Sequence, residues 1–134
     1  MTNGSTMVNL VIPATDITPA IDFNASSCVL KMNGESYPEN VGKFYEPVYQ
    51  WLEAFFAAGK GRAVVAEFEL TMFNSSTAKA LMNIIEMLEE GAEGEDSVTL
   101  NWRFHESNDL VEEFGEDLQE DYPALAVNMV PLSE

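Results

Sequence analysis

Residues 64–79 read VVAEFELTMFNSSTAK. The first part reads as a buried strand, and at Asn74 it breaks into the N-terminus of a helix with consecutive hydroxyls at Ser75, Ser76 and Thr77. A strand running straight into a helix start is the unit from which α/β sheets are built. It also predicts exposed Ser and Thr side chains at the positive end of a helix, where unpaired N–H groups and the helix dipole stabilise an anion. Two readings follow. Asn and Ser are preferred helix caps and need do nothing more. Alternatively, one hydroxyl accepts a phosphate, which adds close to two negative charges and three acceptor oxygens at this point.

Working outward, residues 8–12 form a short apolar run ended by Pro13, and residues 20–23 and 29–32, separated by Asn24-Ala25-Ser26-Ser27, predict a hairpin. Gly34 is expected to end the second strand. Tyr37-Pro38-Glu39 offers proline and an acid at a helix start, and the helix is expected to run through Phe44, Tyr45, Val48, Trp51, Leu52 and Phe55 to Gly59. Pro47 should kink or divide it. After the serine turn come a helix to about Glu90, a polar loop at 91–96, a strand at 98–104, an acidic helix at 108–121 and a last strand at 125–130. Strand and helix alternate through the second half, which implies parallel pairing with right-handed crossovers. The expectation is one α/β domain spanning residues 1–134, with a mixed sheet of five to six strands and three to four helices.

Composition agrees. The chain has 134 residues, 46% of them hydrophobic, enough for one compact core and too few to expect two. A net charge of −17 repels nucleic acid phosphate and anionic lipid, and favours partners with basic surfaces. No run has the length of a membrane-spanning helix, and Met1-Thr2-Asn3-Gly4-Ser5 lacks the parts of a signal peptide. The one cysteine, Cys28, has no partner for an internal disulfide, and beside Val29, Leu30 and Met32 it reads as a small core residue. These features favour the cytoplasm.

Thr18-Pro19-Ala20 before the hairpin, Gly34-Glu35-Ser36-Tyr37-Pro38-Glu39-Asn40, Phe73-Asn74-Ser75-Ser76 and Asn101-Trp102-Arg103-Phe104 before an acidic helix occur in that order. Together they resemble the SiaC family of bacterial regulatory phosphoproteins. The resemblance implies that the residue directly after the Asn, here Ser75, is phosphorylated by a dedicated kinase and dephosphorylated by a PP2C-like phosphatase. It also implies that the unmodified form binds and activates a diguanylate cyclase of the GGDEF type, in cyclic di-GMP and biofilm signalling. More distantly, the turn is similar to anti-anti-sigma (STAS) domains, which usually place Asp where this chain has Asn74 and Gly where it has Thr77. That departure points to a relative of the STAS-like fold with its own partners.

Two surfaces are candidates for a partner. In the helix after the turn, Ala78, Leu81, Met82, Ile85 and Leu88 make one apolar stripe, and Ala80, Ile84 and Met87 extend it to roughly 220° of the cylinder, more than a sheet requires. Either a neighbouring helix or a docked partner covers the surplus, with Met82 and Met87 as adaptable contacts. Ser75 falls on the polar side with Lys79, Asn83 and Glu86, and Lys79, one turn on, is placed to pair with a phosphate or simply to be solvated. In the acidic helix, Leu110, Val111, Phe114 and Leu118 are the expected buried stripe. Its acids, from Glu106 to Asp121, form a solvated face or one that steers a basic partner and repels a nearby phosphate.

Enzyme readings find less support. His105 is the only histidine and has no second His at helical spacing, no calcium loop pattern is present, and there is no phosphate-binding Gly-rich loop and no Gly-x-Ser-x-Gly elbow. No catalytic residue, cofactor or metal is expected. The leading expectation is a two-state switch in which Ser75, with Ser76 as its nearest rival, controls docking. Asn74, Thr77 and Lys79 support the phosphosite. The docking surface comprises Ser36, Tyr37, Pro38, Glu39 and Asn40 with Ala80, Ile84 and Met87. A scaffold without a covalent switch and a small acidic hydrolase or metal-binding protein centred on His105 are the alternatives.

Overall fold

Side chains alternate between the two faces of a strand, so a strand with apolar residues at every second position buries one face only. The central strand does this: Val64, Ala66, Phe68 and Leu70 are buried, while Val65, Glu67 and Glu69 between them are partly exposed. In the computed structural model, which describes residues 7–133, this strand is β4 (Ala63–Phe73). The other strands are β1 (Leu10–Ile12), β2 (Ala20–Asn24), β3 (Val29–Ser36), β5 (Ser97–His105) and β6 (Ala126–Leu132). They lie in the order β1-β2-β3-β4-β5-β6, antiparallel from β1 to β3 and parallel from β3 to β6. Helices α1 (Val41–Ala58), α2 (Ser75–Glu93) and α3 (Asp109–Asp121) each join one parallel strand to the next. The mixed α/β sheet expected from the alternation of patterns is therefore present.

Register carries the core across the sheet. Leu30 sits opposite Ala66, Met32 opposite Phe68, Ala66 opposite Leu100 and Phe68 opposite Trp102, and all are fully buried. Against this face α1 buries Tyr45, Val48, Trp51, Leu52 and Phe55, α2 buries Leu81, Ile84, Ile85 and Leu88, and α3 buries Val111, Gly115 and Leu118. Gly115 allows α3 its close approach, since a Cβ there would fall 2.4 Å from the Trp102 ring. The Trp102 indole N–H donates to the Val111 carbonyl at 2.8 Å. On the opposite face, Asn101 donates to Glu67 at 2.7 Å and Arg103 to Glu69 at 3.3 Å, a polar lattice left partly open to water.

Several boundaries differ from the sequence expectation for physical reasons. Gly34 does not end β3; at φ +130° it sits where the register with β4 shifts, and the strand continues to Ser36 over this bulge. Helix α1 starts at Val41, not at Pro38-Glu39, because the Asn40 side chain accepts the Lys43 N–H at 3.1 Å and caps it. Pro47 lies on the exposed side of α1 and does not divide it. The expected polar loop at 91–96 is shortened because α2 continues to Glu93, and Gly94 closes it by donating to the Glu90 and Gly91 carbonyls at 3.2 Å. Beyond it, burial raises the Asp96 carboxyl. The hydrogen bonds and charge of Arg62 outweigh this and hold it below its ordinary value.

Candidate functional site

Because every helix follows a parallel strand, all three helices begin at the carboxyl ends of those strands, the edge where open α/β sheets place their sites. Each is capped alike. The side chains of Asn40, Asn74 and Asn108 accept the N–H groups of Lys43, Thr77 and Val111 at 3.1, 2.9 and 3.3 Å. Partial positive charges of three helix starts thus gather along one edge.

The first turn of α2 sorts its hydroxyls by depth. Ser75 and Ser76 are exposed, whereas Thr77 is 0% exposed. Thr77 Oγ1 donates to the Ser36 carbonyl at 2.9 Å and stands 3.0 Å from Ser36 Oγ, which is 2.7 Å from the Tyr45 hydroxyl. One arrangement satisfies all three groups: Tyr45 donates to Ser36 Oγ, Ser36 Oγ donates to Thr77 Oγ1, and Thr77 donates to the Ser36 carbonyl. Burial pushes the Tyr45 hydroxyl up to about 12, against the opposing pull of the Ser36 bond. Two expectations are corrected here. Thr77 is not an exposed hydroxyl at the helix start, and Ser36 is not part of a docking surface; both are locked inside the network that joins β3, α1 and α2.

The same network brings the loop after β3 to the turn. Ser36 pairs with Phe73 across the parallel ladder, and the Asn74 N–H donates to the Ser36 carbonyl at 3.4 Å. Tyr37 and Pro38 are half-buried, and Glu39 and Asn40 are exposed beside it. The Tyr37 hydroxyl donates to Glu35 at 2.8 Å, and this bond, with partial burial and the charges of Glu35 and Asp16, raises it above its ordinary value. Lys79 is exposed one turn beyond Ser75.

On α2 the sequence reading is divided by depth. Ala80 and Ile84 are buried, so the partner-contact reading fails for both: α1 packs against α2 and covers the surplus apolar face. Met87 is half-buried and lines a 470 Å³ cleft between α1 and α2 with Leu52, Phe56 and Lys60. It lies twelve residues beyond Ser75, about 18 Å along the helix axis.

Sequence reasoning missed a third feature at this edge. Leu110, expected in the buried stripe of α3, is 79% exposed, because Val111, Gly115 and Leu118 supply that stripe and turn Leu110 away. Leu110, Met72 at 56% exposure, Phe73 and Phe114 line a 280 Å³ apolar groove between the end of β4 and the start of α3. Asn108 ties the two together by donating to the Thr71 carbonyl at 3.0 Å. Phe114 packs edge-on to Phe73, ring centres 5.2 Å apart, and stacks on buried Trp102 at 5.4 Å. The signal was present in the sequence: Leu110 and Phe114, four residues apart, form an apolar pair of their own beside the main stripe.

His105 ends β5 on the polar face and is half-buried. Among the described residues no group of three or more His, Cys, Asp or Glu is placed to hold a metal ion, and no helix is long and apolar enough to cross a membrane.

A family model described as SiaC family regulatory phosphoprotein matches residues 12–132. The chain belongs to the SiaC family. Its fold matches that of apo-SiaC from Pseudomonas aeruginosa, with a TM-score of 0.81, 35% identity and coverage of 92% of this chain and 99% of that one. It matches equally the crystal structure of the diguanylate cyclase SiaD in complex with its activator SiaC from the same organism, with a TM-score of 0.84, 35% identity and coverage of 92% and 99%. An uncharacterised protein of P. aeruginosa strain UCBPP-PA14 is 38% identical over 115 residues, 86% of this chain and 90% of that one. As a SiaC-family regulatory phosphoprotein, the chain presents two exposed serines and one buried threonine at the start of α2.

Proposed function

We propose that this SiaC-family protein is a cytoplasmic, non-enzymatic switch whose unphosphorylated form binds and activates a diguanylate cyclase, and that phosphorylation of Ser75 blocks the contact. The observation that carries this is the depth of the three hydroxyls. Ser75 stands at the first position of α2 with its side chain in water, while Thr77 beneath it is closed in the Ser36–Tyr45 network. A kinase reaches Ser75 without disturbing the core, and a PP2C-like phosphatase reaches the product. The P. aeruginosa SiaC that this chain resembles is described as the activator of a diguanylate cyclase, which supports a cyclase as effector. A phosphate of about −2 charge in a packed, dry contact imposes desolvation and steric penalties. A loss of about 2.7 kcal/mol lowers affinity a hundredfold.

Intact-mass spectrometry with peptide mapping of protein from its native host tests the reading. A phosphatase-sensitive gain of about 80 Da, one phosphoryl group, is expected on the peptide holding Ser75, and the modified protein should no longer stimulate cyclic di-GMP synthesis. Incorporation that persists in Ser75→Ala moves the site to Ser76. A chain unmodified under every growth condition, with cyclase stimulation intact, removes the covalent switch and leaves a scaffold.

A further inference from the structure

The edge strands of a sheet carry unpaired N–H and C=O groups, which proteins blunt with proline, charge, bulges or a covering element. The two edges of this sheet are treated differently. On β6, Pro131 offers no N–H, and Gln119 of α3 donates to the Val127 carbonyl at 2.9 Å. Helix α3, with Glu116, Asp117 and Glu120 exposed, packs beside that strand. On β1, Leu10-Val11-Ile12 contains no charge and no proline, and its pairing with β2 has no register shift. Two of the four large hydrophobic residues exposed among the described residues, Val8 at 81% and Val11 at 67%, belong to this same segment.

The β1 edge is also held in shape. The Trp51 indole N–H donates to the Val8 carbonyl at 2.8 Å, and the Asn9 side chain accepts the Ala25 N–H at 2.9 Å. A strand fixed in advance loses little freedom when another strand is added to it.

Charge specifies the occupant. Each copy of the chain carries −17, so two copies repel one another over most of their surfaces. No Asp, Glu, Lys or Arg precedes Asp16, and all 23 acids therefore lie outside the segment that forms β1. Asp22, which pairs with Val11 on β2, has Lys31 opposite it in turn on β3. The β1 edge is thus a neutral, apolar approach for a second acidic copy.

We propose that β1 is a self-association edge: two copies pair antiparallel, β1 against β1, about a two-fold axis at Val11, and make one sheet continuous through both. The two Val11 side chains then face each other, a β-branched pair of the kind that stabilises antiparallel strands. Because β6 is blunted, a second copy cannot add there, and assembly closes at the dimer instead of growing into a filament. A strand of three residues supplies a small interface, so the dimer is weak, with Kd in the micromolar range. The contact does not depend on the proposed switch. Ser75 follows β4, three strands in from β1 and about 14 Å across the sheet.

Sedimentation equilibrium of the unphosphorylated chain from about 1 μM to about 1 mM, at low and high salt, tests this. A monomer–dimer equilibrium is expected, and high salt should tighten it several-fold by screening the charge of the two copies. Val11→Asp and Val11→Lys should each weaken the dimer at least tenfold, and an equimolar mixture of the two should restore it, because Asp and Lys then meet at the axis. Leu110→Asp, exposed on α3, and Ser75→Asp should leave it unchanged. Thermal melts confirm that the variants fold. A wild type that stays monomeric throughout overturns the edge contact, as does a dimer that both Val11 variants leave intact. A mixture that stays monomeric overturns the two-fold pairing at Val11. Association that high salt weakens means that charged groups hold the copies together and overturns the neutral edge. In each case the proposed switch stands or falls separately.

Discussion

Ser75 and Thr77 carry the same functional group two residues apart, yet about 200° of helix rotation places them in opposite environments. Ser75 points to solvent, and Thr77 points inward, where its hydroxyl, the Ser36 hydroxyl and the Tyr45 phenol satisfy one another without water. A buried hydroxyl in a closed network rigidifies the fold and is unavailable to a kinase, while an exposed one contributes little to stability and is open to chemistry. The inner side of the turn fixes its geometry, and the outer side is left to solvent.

The sharpest way to break this contrast is Thr77→Val, which leaves the Ser36 hydroxyl without its acceptor. Urea denaturation should show a loss of about 2 kcal/mol. A change of only a few tenths would mean that the network contributes nothing. Tyr45→Phe removes the outer member and should cost about 1.5 kcal/mol at neutral pH. It also has a pH signature. The folded-state phenol is pushed up to about 12 from an ordinary 10.0, so the folded protein keeps a proton that the unfolded chain gives up. That contribution is whole below pH 10 and is lost as pH rises to about 12, so the wild type should lose stability more steeply over this window than Tyr45→Phe.

Asn74→Ala strips the cap from α2 and should cost about 1 kcal/mol in thermal or chemical melts. The smallest effect sharpens the contrast most: Ser75→Ala should change stability by no more than about 0.5 kcal/mol and yet abolish phosphate incorporation in a kinase assay.

How far the sequence could be read follows the range of the interactions. The strand, the turn and helix α2 were legible from residues 64–79 because strand patterning and Asn capping act over a few residues. The partnership of Ser36 with Thr77 spans forty-one positions and exists only because β3 and β4 pair in parallel, with Ser36 opposite Phe73. The start of α1 was misread because Pro38-Glu39 imitates a helix start, while the cap at Asn40 repeats the one at Asn74. In the same way, Ala80 and Ile84 read as candidate contacts for a partner, whereas α1, which is distant in sequence, covers them.

By itself, then, the sequence determined the α/β alternation, the capped turn with its run of hydroxyls and the strongly acidic charge, because periodicity, capping and composition are properties of neighbouring residues. Only the tertiary structure decided which hydroxyl is buried, which apolar residues of α2 are covered, and that Leu110 of α3 and Met72 of β4 meet at one groove. Burial and adjacency depend on how distant segments pack, and no local pattern specifies that.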